Sequence, residues 1–154
     1  MLPPCDEGFH DWKRDDPYDL LCDVQRVEVL VAPDTDAFRE DMTALDRSLV
    51  DAGWSSDTAM SMDRVLGEYW DSLATADTYS MADLPSARYG ADPEHSLEVT
   101  WVEPDSPTTR ITYESRVEAV TADGEPTTLD ALIRTVPRGG YGVVVVVTTR
   151  YFED

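Results

Sequence analysis

The sequence contains little lysine, histidine or cysteine. Of its 154 residues, 12 are basic and 32 are acidic, a formal net charge of −20, and Lys13 is the single lysine. A nucleic-acid-binding protein needs a basic surface to contact phosphates, and a protein that binds anionic membranes needs clustered lysine or arginine. The charge therefore excludes a general nucleic-acid binder and argues against binding to an anionic membrane.

Long apolar runs are also absent. No segment approaches the roughly 20 apolar residues of a membrane span, so no span is expected. The first residues lack the basic, apolar and small-residue order of a signal peptide, and they are equally compatible with a mature chain whose leader has been removed. The chain contains four Trp, seven Tyr and three Phe, which are too many for a disordered protein. Hydrophobic residues make up 42% of the chain, enough to fill a folded core.

Signatures of enzymes are missing as well. The sequence has no G-x-S-x-G elbow, Walker loop, G-x-G-x-x-G fingerprint, H-E-x-x-H motif or complete calcium-binding loop. Because 32 of the 154 residues are acidic, neighbouring carboxylates arise by chance and do not indicate a glycosidase or an aspartic protease. No catalytic residue, cofactor or metal site is predicted, and the balance favours a protein without enzymatic activity.

The two cysteines, Cys5 and Cys22, lie within residues 1–23, which we predict to be a proline-containing arm packed on the domain. A disulfide between them is the favoured interpretation, and it favours an extracytoplasmic, secreted or lipoprotein-like protein. Two alternatives remain open. The cysteines are reduced, with Cys22 buried as a small apolar side chain, or they bind zinc with His10, although a fourth ligand and a C-x-x-C pair are lacking.

The most regular pattern is a strand followed by a helix. Alternation over 24–31 predicts a strand with Val27, Val29 and Val31 on one face. Apolar residues at i, i+4, i+7 and i+11 then predict a helix, and Gly53 is suited to end it. The apolar residues of this helix are Phe38, Met42, Leu45 and Leu49.

The next part of the chain has weaker patterns. We expect a short strand over 54–60 and a helix over 62–73 that is capped by Ser61. Residues 74–95 read as a long irregular connection, and such connections often carry function.

The last third of the chain is predicted to be mostly strand. Segments 97–102 and 109–120 alternate and are expected to form an antiparallel hairpin, and a short helix over 126–136 follows. The five valines of 143–147 predict a central strand buried on both faces. Together the elements predict one α+β domain (24–154), a mostly antiparallel sheet of four to five strands with two longer helices and one short helix on one face.

Two segments are candidates for binding a partner. Residues 131–152 contain arginine but no acid, and in them Arg138 and Tyr141 flank a glycine turn that can present N–H groups to an anion. Glu94 and His95 form the second candidate, since a histidine beside a carboxylate can act as a base or a ligand. The alternative interpretation is that these are ordinary surface turns, whose arginines pair with the protein's own acids.

The leading hypothesis for function is a non-enzymatic, acidic interaction domain, exported or associated with the cell envelope. It would be a monomer or homodimer whose acidic face binds a basic protein. One alternative is an intracellular inhibitor or immunity-type protein, such as a toxin-neutralising protein or a nucleic-acid mimic, that binds a basic partner. Another is a small hydrolase or pocket protein that uses the 74–95 connection. A uniform spread of acids would instead indicate adaptation to high salt.

Overall fold

The computed structural model shows one sheet with helices packed against it. The residues it describes are 5–8, 10, 20–73, 81–104, 118–120, 125–128, 131 and 133–153. Its strands are β1 (Cys5–Glu7), β2 (Leu20–Ala32), β3 (Ser55–Ser56), β4 (Ala87–Asp92), β5 (His95–Val102), β6 (Glu118–Val120), β7 (Pro126–Thr128) and β8 (Tyr141–Glu153).

The strands lie in the order β3-β4-β5-β8-β2-β6-β7, and β1 also pairs with β2. Neighbours from β3 to β2 are antiparallel, whereas β6 is parallel to β2. The predicted α+β class with a mostly antiparallel sheet is therefore confirmed. Five neighbouring strands, β3, β4, β5, β8 and β2, form a continuous antiparallel run, in agreement with the predicted four to five. Within the described residues, β1, β6 and β7 extend this sheet to eight strands.

The long strands β2 and β8 form the centre of the sheet. Their register places Val27 opposite Val146 and Val29 opposite Val144. Because β5 lies along the other side of β8, the valine run has a strand on each side. Val143, Val144 and Val146 are buried, which confirms the predicted central strand.

The sheet separates two groups of apolar side chains, because successive strand residues lie on opposite faces. We call the group beneath the helices the helix-side core. Its buried members are Phe38, Met42, Met62, Val65, Leu66, Met81, Leu84, Ala87, Tyr89, Leu97, Val99, Trp101, Tyr141 and Val143. We call the group on the other face the valine core. It consists of Val27, Val102, Val136, Val144 and Val146, with Val29 and Ile133 packed against them.

The first helix, α1 (Phe38–Asp51), matches the predicted helix. It ends in a Schellman motif, in which Trp54 N donates to Leu49 O and Gly53 N donates to Val50 O, at 3.0 and 3.1 Å. Gly53 has φ +102°, a left-handed conformation that glycine adopts without strain. The prediction that Gly53 ends the helix is confirmed.

The second helical stretch begins at the predicted cap, where Ser61 accepts a hydrogen bond from Arg64 N. It continues as α2 (Met62–Arg64), a π-helical segment (Val65–Trp70) and α3 (Asp71–Leu73). The expected second long α-helix is thus α-helical only at its two ends. Single π turns inside α-helices are uncommon, and they occur frequently at functional sites.

Several predicted elements differ from the structure. The strand expected over 54–60 is limited to β3. The hairpin between 97–102 and 109–120 is wrong, because β5 pairs with β4 and β8, while β6 pairs with β2 and β7. Residues 109–117 lie outside the described residues. The short helix over 126–136 is wrong at its start, because Pro126–Thr128 is strand β7.

The segment 74–95 is not an irregular connection over its described part. After residue 80 it contains a 3-10 turn (Met81–Asp83) and β4. Met81 and Leu84 are buried in the helix-side core, so this part of the chain is anchored. Of the predicted arm 1–23, the structure describes 5–8, 10 and 20–23, in which β1 pairs with the start of β2.

Candidate functional site

Three side chains of the sheet donate hydrogen bonds to α1 from neighbouring strands. Tyr141 Oη (β8) donates to Asp41 at 2.7 Å, Trp101 Nε1 (β5) to the sulfur of Met42 at 3.0 Å, and Tyr89 Oη (β4) to Asp46 at 2.6 Å. Because the strands lie side by side, the three bonds fix where α1 crosses them. We call these bonds the polar ties.

An aromatic group surrounds the N-terminal end of α1. The ring of Phe38 lies 4.6 Å from Trp70, 5.3 Å from Tyr141 and 5.7 Å from Trp101, centroid to centroid. Tilted and edge-to-face pairs at these distances are favourable. The aromatic group and the polar ties therefore fix α1 on the sheet, the first by apolar contacts and the second by hydrogen bonds.

The two tyrosines of the polar ties are held in the protonated form. Burial, then the hydrogen bond to Asp46 and the negative charges of Asp46 and Asp63, raise the pKa of Tyr89 well above its ordinary value. Burial and the hydrogen bond to Asp41 raise the pKa of Tyr141 in the same way. Both hydroxyls therefore act as donors to a carboxylate over the physiological pH range.

The outer surface of residues 34–73, which we call the helical layer, is strongly acidic. All of these residues are described, and they include ten acids but only three arginines. Two of the arginines are engaged in ion pairs with acids of the same layer, Arg39 with Asp71 and Arg64 with Glu68, both at 2.8 Å. The remaining acids are thus mostly uncompensated. Those that are exposed and outside these ion pairs are Asp34, Asp36, Glu40, Asp41, Asp51, Asp57 and Asp63.

A shallow, open depression lies on the outer side of α1. It is lined by Arg39, Glu40, Thr43, Ala44 and Arg47. The Arg39 guanidinium also reaches the carbonyl of Leu66 in the π-helical segment at 3.5 Å, so it joins the two helical stretches. No pocket with converging acid and base side chains is formed there.

The predicted Glu94–His95 candidate is the turn between β4 and β5. His95 Nδ1 lies 2.8 Å from Asp92 Oδ1, and the same carboxylate accepts a hydrogen bond from Glu94 N. The bonds to His95 and Glu94 lower the pKa of Asp92. These contacts order a surface turn, and Glu94 itself is exposed.

The Arg138–Tyr141 candidate lies at the other end of β8. Arg138 is exposed, whereas Tyr141 is fully buried. His95 pairs with Thr149, which is eight residues along β8 from Tyr141, about 27 Å at the usual rise per residue. The structure thus does not bring the two predicted segments together, and a role for either in binding stays a prediction.

The polar ties were not identified from the sequence. Asp41 and Asp46 look like ordinary exposed positions of an amphipathic helix, and their partners lie 100 and 43 residues away. No local spacing connects such residues. Only the fold shows that two of the many carboxylates have partners in the core.

No helix within the described part of the chain is long and apolar enough to cross a membrane, as expected. Across those same residues, no group of three or more His, Cys, Asp or Glu is arranged to hold a metal ion. Comparison with protein-family models, with curated proteins and with solved structures found no match.

Proposed function

We propose that the protein is a non-enzymatic binding domain whose helical layer binds a basic protein partner. The observation that carries this proposal is the charge of that layer, with ten acids against three arginines over 34–73. Such a surface attracts a basic partner over a distance of about one Debye length and raises the rate of encounter. Complementary charge also selects against acidic proteins.

The position of α1 supports this role. A binding surface is more effective when its side chains are carried on rigid elements. The polar ties attach α1 to three strands, and the Schellman motif fixes its C-terminal end. Carboxylates on the outer side of α1, such as Glu40 and Asp51, are therefore held in a constant arrangement.

The loops next to the helices are ordered by their own acids. Asp34 accepts a hydrogen bond from Asp36 N at 2.8 Å, and Asp57 accepts from Ala59 N at 2.6 Å. These bonds use one carboxylate oxygen and leave the negative charge at the surface. Exposed acids thus extend from the loop before α1 to the loop before α2, interrupted on α1 by the exposed Arg39 and Arg47.

The experiment compares two variants of equal net charge. The first replaces three acids of the helical layer (Asp36→Asn, Glu40→Gln, Asp51→Asn), and the matched control replaces three exposed acids outside it (Glu7→Gln, Glu28→Gln, Glu125→Gln). Binding to an arginine-rich peptide of ten residues is measured by titration calorimetry at low and physiological salt. We expect the first variant to bind at least tenfold more weakly than the control, and the difference to shrink as salt rises.

Two results would count against the proposal. If both variants weaken binding equally, then the charge acts through the whole molecule and the helical layer is not a distinct surface. If the unmodified protein does not bind the peptide and is instead strongly stabilised by molar salt, then the acids serve solubility at high salt.

A further inference from the structure

The pairing of β1 with β2 places the two cysteines directly opposite each other. In this antiparallel pair the register joins Cys5 with Cys22, Asp6 with Leu21 and Glu7 with Leu20. The cysteines are 17 positions apart in the sequence and are the only two in the chain. The backbone therefore brings together two cysteines, which can form a disulfide only when they are close to each other.

The spacing of an antiparallel pair suits a disulfide. Directly opposed residues have Cα atoms about 4.5 or 5.5 Å apart, depending on whether the pair is hydrogen-bonded. Disulfides span Cα separations of roughly 4.4–6.8 Å. Either kind of pair falls within that range, so the bond can form without displacing the strands.

We propose that Cys5 and Cys22 form a cross-strand disulfide that fastens β1 to the first residues of β2. The reaction is a thiol–disulfide exchange with a small-molecule disulfide such as oxidised glutathione. One cysteine thiolate attacks the glutathione disulfide, forms a mixed disulfide and releases one glutathione thiolate. The second cysteine thiolate then attacks the mixed disulfide and releases the second glutathione, so two protein thiols are oxidised and one disulfide is reduced to two thiols.

The bond has a structural consequence for the start of the sheet. β1 is three residues long and pairs with β2 alone among the described strands. So short a strand has few backbone hydrogen bonds to keep it in place, and a covalent link removes much of the entropy of its open states. In reducing conditions the same strand would open more readily.

The experiment uses the full chain equilibrated with oxidised or with reduced glutathione. Non-reducing peptide mass spectrometry should find Cys5 and Cys22 in one linked peptide after oxidation. The thermal midpoint should rise by roughly 5–10 °C on oxidation. The double variant Cys5→Ser, Cys22→Ser should show the same midpoint in both buffers.

A matched variant tests the register itself. In the variant Cys5→Ser, Asp6→Cys, the new cysteine pairs with Leu21 and lies on the other face of the strand from position 5. It should oxidise to the linked form at least tenfold more slowly than the natural chain. Equal rates would show that the register of β1 against β2 does not control the reaction, and would overturn the cross-strand assignment. Two unlinked cysteines in the oxidised natural chain would overturn the disulfide.

Discussion

The two faces of the sheet are packed by different means. The helix-side core contains aromatic and methionine side chains. Three of its aromatic residues, Tyr89, Trp101 and Tyr141, donate the polar ties to α1. Among the residues that the structure describes, the valine core contains valine and isoleucine alone, so these side chains contribute no polar atom and pack by shape. The comparison indicates that directional bonds are used where a helix must take one position, and close packing where a sheet face has only to be covered.

Removing an aromatic ring from the helix-side core should have the largest effect. Phe38→Ala deletes the ring that contacts Trp70, Trp101 and Tyr141, and it should lower the free energy of unfolding by about 3–5 kcal/mol. Val144→Ala removes two methyl groups from the fully buried Val144 of the valine core and should cost about 2 kcal/mol. Urea unfolding measures both, and equal losses would contradict the difference between the two cores.

Adding one methyl group to the valine core tests how closely it is packed. A Cβ built at Gly142 would lie 2.8 Å from Val102 Cγ2 and 2.9 Å from Val136 Cγ2. Gly142→Ala should therefore destabilise the protein by about 1–3 kcal/mol.

Two further variants separate overpacking from other effects. Gly90→Ala, in a strand position with no atom within 4 Å of the added Cβ, should leave the urea midpoint nearly unchanged. Adding Val136→Ala to Gly142→Ala should give a loss smaller than the sum of the two single losses, because the second change makes room for the first. A simple sum would mean that Val136 is not the obstacle.

Deleting the tyrosine hydroxyls tests the polar ties. Tyr89→Phe and Tyr141→Phe each remove a hydrogen bond to a carboxylate, and each should cost about 1.5 kcal/mol at neutral pH. The pKa values of both tyrosines are raised by folding. Their contribution to stability is therefore complete below the unfolded pKa of about 10 and is lost as pH rises above it.

The pH profile distinguishes these variants from ordinary core mutants. Between pH 9 and 11 the natural protein should lose stability steeply, and the double variant should lose less because it has two fewer titrating tyrosines. Thermal unfolding across this range gives the profile. Parallel profiles for the natural protein and the double variant would show that the tyrosines do not resist ionisation in the folded state.

The parts of the fold that sequence predicted correctly depend on local information. The apolar stripe of α1 repeats at each helical turn, and the glycine at position 53 and the serine cap at position 61 each act within one turn. The valine run of β8 places apolar side chains on both faces of the strand, so the run itself predicts burial on both faces. Such features can be recognised from the sequence because each depends on residues that are close together in the chain.

The parts that were missed depend on competition between distant segments. Turn-forming residues after Val102 indicate a reversal, but they do not select the partner strand. β5 instead pairs with β8, whose valines offer more apolar surface to bury. The polar ties are of the same kind, because the sequence contains 32 acids and nothing in their spacing marks Asp41 and Asp46. The two cysteines are a further example. A disulfide between Cys5 and Cys22 was predicted from the sequence, but the strand register that places them opposite each other was not.

The smallest expected effect on stability concerns two valines of β2, on the side of the sheet that carries the valine core. Val27 and Val31 lie on the same face of β2, but Val27 is fully buried while Val31 is 44% exposed. Since the stabilisation from an apolar side chain scales with the area removed from water, Val27→Ala should cost about 2 kcal/mol and Val31→Ala about 0.5–1 kcal/mol. The two substitutions remove the same atoms from the same strand, so the difference in urea midpoint measures how far along β2 the valine core extends. A cost at Val31 equal to that at Val27 would mean that this end of the strand is covered by another part of the protein or by a partner.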